Sequence, residues 1–284
     1  MKLSFYPGCS LEGMANDYGR SIQVVFKHLG IELIELDDWS CCGSTAAHSL
    51  DEMMSVALPA RNLAAAEKLG HDLISPCAQC FNRLLYSQKM IKKGLFDAPW
   101  PVTGDIGIYD MTRYLATPEM LKAVKDRVVR PLTGLNVVCY YGCQMVRAPR
   151  IAGYTDYENP MTMDNLVSAV GANVIDWSFK ATCCGAGIGI ARKDIQGSLT
   201  RRIYLEAVRS GADAIAVACP LCQMNVDVIQ SRTDSSRKGE KVIPVFYFTE
   251  LLRIAFEGHA LPNGYKMHVA DPVPLLEKKG MLNG

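Results

Sequence analysis

The sequence predicts an α/β protein built from two duplicated halves with mainly parallel sheets, related by a pseudo-twofold axis. Short apolar runs alternate with longer segments in which apolar residues recur at helical spacing. One arrangement of five cysteines occurs twice, at matching places in this alternation. In both copies the cysteines follow predicted strands, which is where an open parallel sheet places its ligands. We therefore expect one site at the carboxyl edge of each sheet.

Ten of the eleven cysteines belong to the repeat. The first copy consists of Cys9, Cys41, Cys42, Cys77 and Cys80, and the second of Cys143, Cys183, Cys184, Cys219 and Cys222. A glycine follows each adjacent pair, Gly43 in one copy and Gly185 in the other, and 34 residues separate each pair from the next cysteine. Equal long spacings between rare residues are not expected by chance, so the sequence indicates an internal duplication.

The first half begins with a predicted strand, which puts Cys9 in the loop between this strand and a helix. Strands are predicted at residues 2–6, 31–36 and 72–75, and helices at 18–29, 51–69, 80–91, 109–115 and 118–129. Gly30 and Gly70 end two of the helices, as glycine commonly does. Residues 93–107 are expected to form a loop. All five thiols of this half are therefore expected in loops that follow strands.

The second half restarts at residue 135 and repeats this order. Helices are expected at 161–170 and 190–209, strands at 173–176 and 214–218, and residues 245–252 correspond to 108–115. We assign residues 1–132 to the first half, 133–259 to the second and 260–284 to a C-terminal tail. The tail is apolar but has little regular pattern. It could bind a partner subunit or fold across its own domain, and we prefer the partner subunit.

Composition and charge argue against several functions. The chain has 284 residues with 30 basic and 29 acidic side chains, a balance that creates no global field for nucleic acid or an anionic membrane. Its beginning lacks the apolar stretch of a signal peptide, and the apolar run at 242–255 is too short and interrupted for a membrane span. We expect a cytoplasmic protein whose cysteines serve metal or redox chemistry rather than a disulfide framework.

Five thiols per half exceed the four ligands of a structural zinc ion. Adjacent cysteines do not easily chelate one tetrahedral ion, but they can bind neighbouring metals of a cluster. Soft thiolates in this number favour iron and sulfur. The alternative is a zinc ribbon at each C-x-x-C, with the other cysteines in the core. The compact C-x2-C-x2-C-x3-C run of ferredoxin-like cubane sites is absent from the sequence.

The two C-C-G triplets and the two C-x-x-C pairs resemble those of the cysteine-rich CCG domain family. Within this family, the two-copy form without ferredoxin modules is similar to the B subunit of heterodisulfide reductase. The resemblance covers residues 1–258, and all ten ligand positions of the family are occupied. It implies that each five-cysteine set holds the iron of one noncubane 4Fe-4S cluster.

The resemblance also implies an activity and partners. By this resemblance, the chain is expected to be a catalytic subunit that reduces a disulfide between the two clusters. In the sulfur-oxidation type it would instead oxidise thiol or lipoyl-bound sulfur. Two facing clusters could deliver one electron to each sulfur, so no catalytic histidine is required. The implied partners within the complex are a ferredoxin-like iron-sulfur subunit, which carries electrons, together with a flavoprotein subunit. The alternative is a non-catalytic electron-relay or structural subunit of a quinone-linked dehydrogenase complex.

Four residues outside the repeat are candidate substrate contacts. His48 follows the first cysteine pair, whereas Arg147, Arg150 and Lys180 lie in residues 144–182, the segment that contains the eight-residue excess of the second half. Cationic side chains suit a sulfonate or carboxylate on the substrate. A solvated basic loop and a partly buried histidine are the simpler explanations. Cys139, the one cysteine outside the repeat, is expected to be buried on a strand.

Overall fold

Each half of the chain forms one four-stranded sheet in a computed structural model, which describes residues 1–231 and 241–282. The strands of the first sheet are β1 (Lys2–Phe5), β2 (Glu32–Glu35), β3 (Leu73–Ser75) and β4 (Ile108–Asp110). Those of the second are β5 (Asn136–Tyr140), β6 (Asn173–Val174), β7 (Ala214–Val217) and β8 (Val245–Tyr247). All neighbouring strands are parallel, in the orders β2-β1-β3-β4 and β6-β5-β7-β8. The predicted duplicated α/β fold is therefore confirmed.

Helices connect the strands in both halves. The first half contains α1 (Cys9–Glu12), α2 (Asn16–His28), α3 (Ser44–Leu50), α4 (Glu52–Leu69), α5 (Ala78–Lys92), α6 (Met111–Leu115) and α7 (Pro118–Asp126). The second contains α8 (Cys143–Val146), α9 (Pro149–Ala152), α10 (Thr162–Ala169), α11 (Lys193–Arg209), α12 (Pro220–Ser231) and α13 (Phe248–Glu257), and α14 (Val273–Lys278) lies in the tail. Among the described residues, no helix is both long and apolar enough to cross a bilayer.

The strand order brings the thiols of each half to one place. From β1 the chain passes to β2 on one side of it, and β3 and β4 lie on the other side. Such a reversal opens a crevice at the carboxyl ends of the two central strands. Cys9 and Cys77 follow β1 and β3, and Cys143 and Cys219 follow β5 and β7 in the same way. The topology therefore supplies the predicted site at each sheet edge.

The pattern of the sequence does not predict β4 and β8. A single short helix is expected at residues 109–115, whereas the structure has β4 followed by α6, and β8 and α13 occupy the matching region. Asp110 separates the two elements, because its side chain accepts a hydrogen bond from the backbone N–H of Arg113 at 2.9 Å and so caps α6. A strand of three residues is too short for its periodicity to be read. Helix α3 is also missing from the expectations.

The two halves pack against each other through α2 and α13. The rings of Tyr18 and Tyr247 are stacked, with centroids 4.0 Å apart and planes within 3°. The Tyr18 hydroxyl donates to the Ala218 carbonyl at 3.1 Å, and the hydroxyl oxygens of Ser21 and Thr249 are 2.6 Å apart. One continuous hydrophobic core runs through both halves. The halves therefore share a buried interface.

The tail folds across its own chain, and its binding to a partner subunit stays a prediction. The backbone N–H of residue 267 donates to Asp17 of the first half at 2.8 Å. Those of residues 269 and 270 donate to Asp227 of the second half at 2.7 and 2.9 Å. His268 Nε2 lies 3.0 Å from Glu250 Oε1. This segment therefore bridges the two halves; residues 283 and 284 lie outside the described part of the chain.

Candidate functional site

The thiols of each half lie at the carboxyl edge of the sheet, mostly at the beginnings of helices. Cys9 is the first residue of α1, Cys77 directly precedes α5, and Cys80 lies in its first turn. Cys41 and Cys42 lie between β2 and α3. In the second half Cys143 begins α8, Cys183 and Cys184 lie between β6 and a short 3-10 helix, Cys219 precedes α12, and Cys222 lies in its first turn. Helix N-termini favour thiolates, so this placement suits anionic sulfur ligands.

Glycine allows the chain to pack directly on the thiols. Gly8 and Gly142 precede the first cysteine of each half, and both have φ of 70°. A β-carbon at Gly8 would lie 3.0 Å from Cys80 Sγ, and one at Gly142 would lie 2.7 Å from Cys222 Sγ. A side chain at either position would therefore strain the backbone and displace a thiol.

A tyrosine in each half holds the segment before the cysteine pair. The Tyr6 hydroxyl donates to the Ser40 carbonyl at 2.8 Å, and the Tyr140 hydroxyl donates to the Thr182 carbonyl at 2.7 Å. Each acceptor immediately precedes a cysteine pair, and each tyrosine lies three residues before the first cysteine of its half. Sequence reasoning missed these residues, although their equal offset is visible in the repeat.

Thiols form neighbouring pairs in both halves. Cys42 Sγ lies 3.4 Å from Cys80 Sγ, and the equivalent Cys184 Sγ lies 3.7 Å from Cys222 Sγ. All four residues are buried. Among the described residues, no three His, Cys, Asp or Glu side chains gather around one point as the ligands of a single metal ion do. The arrangement is therefore extended, with several donor pairs side by side.

The two sites adjoin each other at their C-x-x-C pairs. The thiols of Cys77 and Cys219 lie close together across the boundary between the halves, near enough for each to influence the pKa of the other. Next to this contact lies a cavity of about 170 Å³. Its walls include the thiols Cys143, Cys183, Cys184, Cys219 and Cys222, the first-half residues Ala78 and Gln79, and the apolar residues Ile188, Leu199 and Leu221. Both halves therefore contribute to the space in front of the second thiol set.

Neighbouring thiols shift one another's pKa in opposite directions. Interaction with the Cys41 and Cys80 thiols lowers the pKa of Cys42 to about 3, and interaction with the Cys143 thiol lowers the pKa of Cys183 to about 6. The same contacts raise the pKa of Cys41 and of Cys143. Each thiolate is stabilised by a neighbour that keeps its proton. Ionisation of one thiol therefore opposes ionisation of its neighbours.

Three of the predicted substrate contacts lie at the surface. His48 is exposed on α3, close in the chain to the first cysteine pair, and Arg150 is exposed on α9. Arg147 Nε donates to the Ala181 carbonyl at 2.7 Å, and its Nη2 lies 2.9 Å from a Glu158 carboxylate oxygen. The Arg147 charge also contributes to the lowered pKa of the nearby thiol of residue 183. These three side chains are not gathered into a single anion site.

Lys180, the fourth candidate, is engaged inside the fold. Its side chain is 1% exposed, and its ammonium lies 2.8 Å from Asp164 and 3.2 Å from Asp176. The Lys180 carbonyl accepts hydrogen bonds from the backbone N–H groups of Tyr141 and Gly142 at 2.9 and 3.1 Å. The residue is not part of the cavity wall. It positions the segment before the first thiol of the second half.

In each half, sequence reasoning also missed one polar residue, located three residues after the C-x-x-C. Asn225 Nδ2 lies 3.4 Å from Cys184 Sγ and donates a hydrogen bond to it. The matching residue of the first half is Arg83, whose positive charge contributes to the low pKa of Cys42. Asn225 stabilises a thiolate by a hydrogen bond and Arg83 does so by its charge. Their equal offset from the C-x-x-C was the signal available in the sequence.

Fold and site together define a two-copy α/β protein with a set of five thiols at the sheet edge of each half. The CCG cysteine-rich domain model matches residues 3–84 and 137–227, the segments that carry these two sets. The chain therefore belongs to the cysteine-rich CCG domain family, as the repeat indicates.

Relatives align along nearly the whole chain. The 8-methylmenaquinol:fumarate reductase membrane anchor subunit of Wolinella succinogenes is 29% identical over 280 residues, 96% of this chain and 99% of the relative. The B subunit of the ferredoxin:CoB-CoM heterodisulfide reductase of Methanosarcina mazei is 27% identical over 290 residues, 98% of this chain and 96% of the relative. A crystal structure of a hypothetical Helicobacter pylori protein has a TM-score of 0.69 at 10% identity, covering 95% of this chain and 52% of that longer one. This last likeness concerns the fold alone.

Proposed function

We propose that this chain is the catalytic iron-sulfur subunit of a heterodisulfide reductase-like complex, with one noncubane 4Fe-4S cluster in each half. The observation that carries the proposal is the pair of complete five-thiol sets that adjoin at Cys77 and Cys219. Ten soft donors, four of which form the close pairs Cys42–Cys80 and Cys184–Cys222, fit iron and sulfide better than a single tetrahedral ion. A coordinated metal also supplies the positive charge with which all the thiols can ionise.

In the proposed reaction a disulfide takes up two electrons and two protons and yields two thiols, and the reverse reaction oxidises thiol or lipoyl-bound sulfur. The clusters would supply or accept these electrons. The chain's own residues shape the site: Leu199 and Leu221 give the cavity an apolar wall. Substrate contacts by Arg147, Arg150 and His48 remain part of the proposal, because these side chains lie on segments close in the chain to the thiols. Electrons would pass to or from two partners, one a ferredoxin-like iron-sulfur subunit, the other a flavoprotein subunit.

A second candidate is an electron-relay subunit of a quinone-linked dehydrogenase complex. The specific observation in its favour is the similarity, over almost the full length, to a relative named as the membrane anchor subunit of a methylmenaquinol:fumarate reductase. Both candidates use the same thiols. They differ in whether a sulfur substrate enters the cavity beside the second set.

Metal and sulfide analysis of anaerobically purified protein, together with EPR spectroscopy, tests the shared part of these proposals. We expect about eight irons per chain with inorganic sulfide, because each of the two proposed clusters holds four irons. Stoichiometric zinc without inorganic sulfide would contradict the iron-sulfur clusters that both candidates require. Disulfide-dependent oxidation of a reduced viologen dye by the same preparation separates the candidates, since an electron relay would leave the dye reduced.

A further inference from the structure

One polar side chain at the cavity lacks a hydrogen-bond partner. Gln79 lies in the first turn of α5, between the two thiols of the first C-x-x-C, and is 4% exposed. Its Nε2 is buried and has no partner within the described part of the chain. A buried donor that is left unpaired destabilises a fold, so nearly all such donors in proteins are paired. We therefore expect the Gln79 amide to donate a hydrogen bond to an acceptor that is not among the described residues.

The position of Gln79 identifies where that acceptor would lie. The residue belongs to the first half, yet it forms part of the wall of the cavity in front of the second thiol set. The matching residue of the second C-x-x-C is Leu221, which lines the same cavity. The two equivalent positions therefore line the same cavity with different side chains, an amide from the first half and an aliphatic group from the second.

The surrounding wall consists mainly of apolar side chains and thiols. Ala186, Ile188 and Leu199 contribute no side-chain donor or acceptor, the Tyr141 hydroxyl donates to Asp164, and Gln144 is the other amide of the wall. An amide N–H in such low-dielectric surroundings interacts strongly with a partly negative sulfur. Hydrogen bonds to sulfur are also among the factors that set the potential of an iron-sulfur centre.

We propose that Gln79 donates an N–H···S hydrogen bond to a sulfur atom held in this cavity and is a positioning residue for it. This inference rests on the proposed function, which supplies two sources of such a sulfur. One is an inorganic sulfide of the cluster in the second half, and the other is the thiolate of the substrate. In both cases the first half of the chain acts directly on the site of the second.

The test compares the full chain, assembled with iron and sulfide, with Gln79→Leu and Gln79→Glu. Leucine copies the residue of the other half and removes the donor, whereas glutamate keeps the shape and places a carboxylate in the cavity. Gln23→Leu on the exposed face of α2 is the matched control. The measurements are iron and sulfide content, the midpoint potentials in an EPR-monitored titration, and the affinity for 2-mercaptoethanol.

We expect all variants to retain iron. If the acceptor is a cluster sulfide, Gln79→Leu lowers one midpoint potential in the absence of thiol, and Gln79→Glu lowers it further. If the acceptor is the substrate sulfur, the potentials are unchanged and 2-mercaptoethanol binds about 2- to 10-fold more weakly, the range expected for one lost hydrogen bond. The control changes neither quantity.

Different results would refute the proposed function and the role of Gln79. Absence of iron and sulfide from the unmodified chain would refute the proposed function. Normal iron content with unchanged potentials and unchanged thiol affinity in both Gln79 variants would overturn the role of Gln79 alone.

Discussion

At the scale of single residues, the duplication preserves the surroundings of the thiols as well as the thiols themselves. Gly8 and Gly142 make the same close approach to the last thiol of their half, and each half has its own tyrosine bonded to the segment before the cysteine pair. Arg83 and Asn225 occupy matching places but differ in charge. The two sites therefore have similar shapes and different electrostatics, which substitutions can separate.

Replacing Cys42 by Ala is expected to remove a ligand of the first proposed cluster. Cys42 is buried 3.4 Å from Cys80 Sγ, so no water-accessible donor can easily replace it. Iron content should fall by about half, since one of the two proposed clusters is lost. Cys139→Ala is the matched control, because Cys139 is fully buried on β5, as predicted, and lies outside the repeat. Equal iron in both variants would exclude Cys42 as a ligand.

Replacing Gly142 by Ala tests whether the thiols need the close backbone approach. A side chain at φ of 70° costs of the order of 1–3 kcal/mol, and the new β-carbon would also meet Cys222 Sγ at 2.7 Å. We expect both lower stability in chemical denaturation and lower iron content. Gly134→Ala is the control, because Gly134 also has positive φ but a β-carbon there would meet nothing within 4 Å. A similar loss of iron in both variants would show that the contact with the thiol is unimportant.

At the scale of elements, acidic side chains anchor the tail on helices of both halves. Asp17 lies on α2, Asp227 on α12 and Glu250 on α13, and each accepts a bond from the segment at residues 267–270. Burial alone would lower the pKa of His268, but Glu250, with Asp227 and Asp17, outweighs it and raises this pKa to about 9. The charged imidazole is therefore part of the attachment at neutral pH.

The raised pKa of His268 predicts that the tail stabilises the protein less at high pH. A folded-state pKa above the unfolded value of 6.5 gives stability that is fully present below pH 6.5 and is lost as the pH rises through about 9. The shift corresponds to roughly 3 kcal/mol. Urea denaturation of the wild type at a series of pH values should show this loss. His268→Gln should remove most of that dependence, and an unchanged pH profile in the variant would contradict the prediction.

At the scale of the whole molecule, the two halves behave as one structural unit around their thiols. The stacked rings of Tyr18 and Tyr247 and the continuous core connect the sheets, and the tail crosses the boundary. The hydroxyl of Tyr18 also binds the carbonyl of Ala218, the residue before a thiol of the other half. Stability at this interface is therefore coupled to the geometry of both sites.

Replacing Tyr18 by Ala is expected to destabilise both halves together, by about 3–5 kcal/mol, the usual cost of removing a buried aromatic side chain. Denaturant-dependent hydrogen exchange on peptides from β1 and from β7 would measure each half separately. Tyr114→Ala is the control, because Tyr114 packs against Tyr109 within the first half. Destabilisation of β1 with unchanged exchange in β7 would show that the halves unfold independently.

Several features of the site can be predicted from the amino-acid sequence. The spacing of Cys42 and Cys77, repeated in Cys184 and Cys219, indicated the duplication, and the apolar runs placed the thiols after parallel strands. These are local properties, since they depend on periodicity and offset along the chain. Short elements such as β4 and α3 were missed because a few residues carry too little periodicity.

The fold class, the duplication and the two sets of five thiols follow from the amino-acid sequence, because each depends on spacing along the chain. The proximity of Cys77 to Cys219, the position of Gln79 in the cavity of the opposite half and the internal ion pairs of Lys180 depend on three-dimensional packing. The contacts of the tail with its own chain also depend on this packing. These contacts join surfaces that are distant in sequence, and packing of the halves, rather than local pattern, selects which surfaces meet.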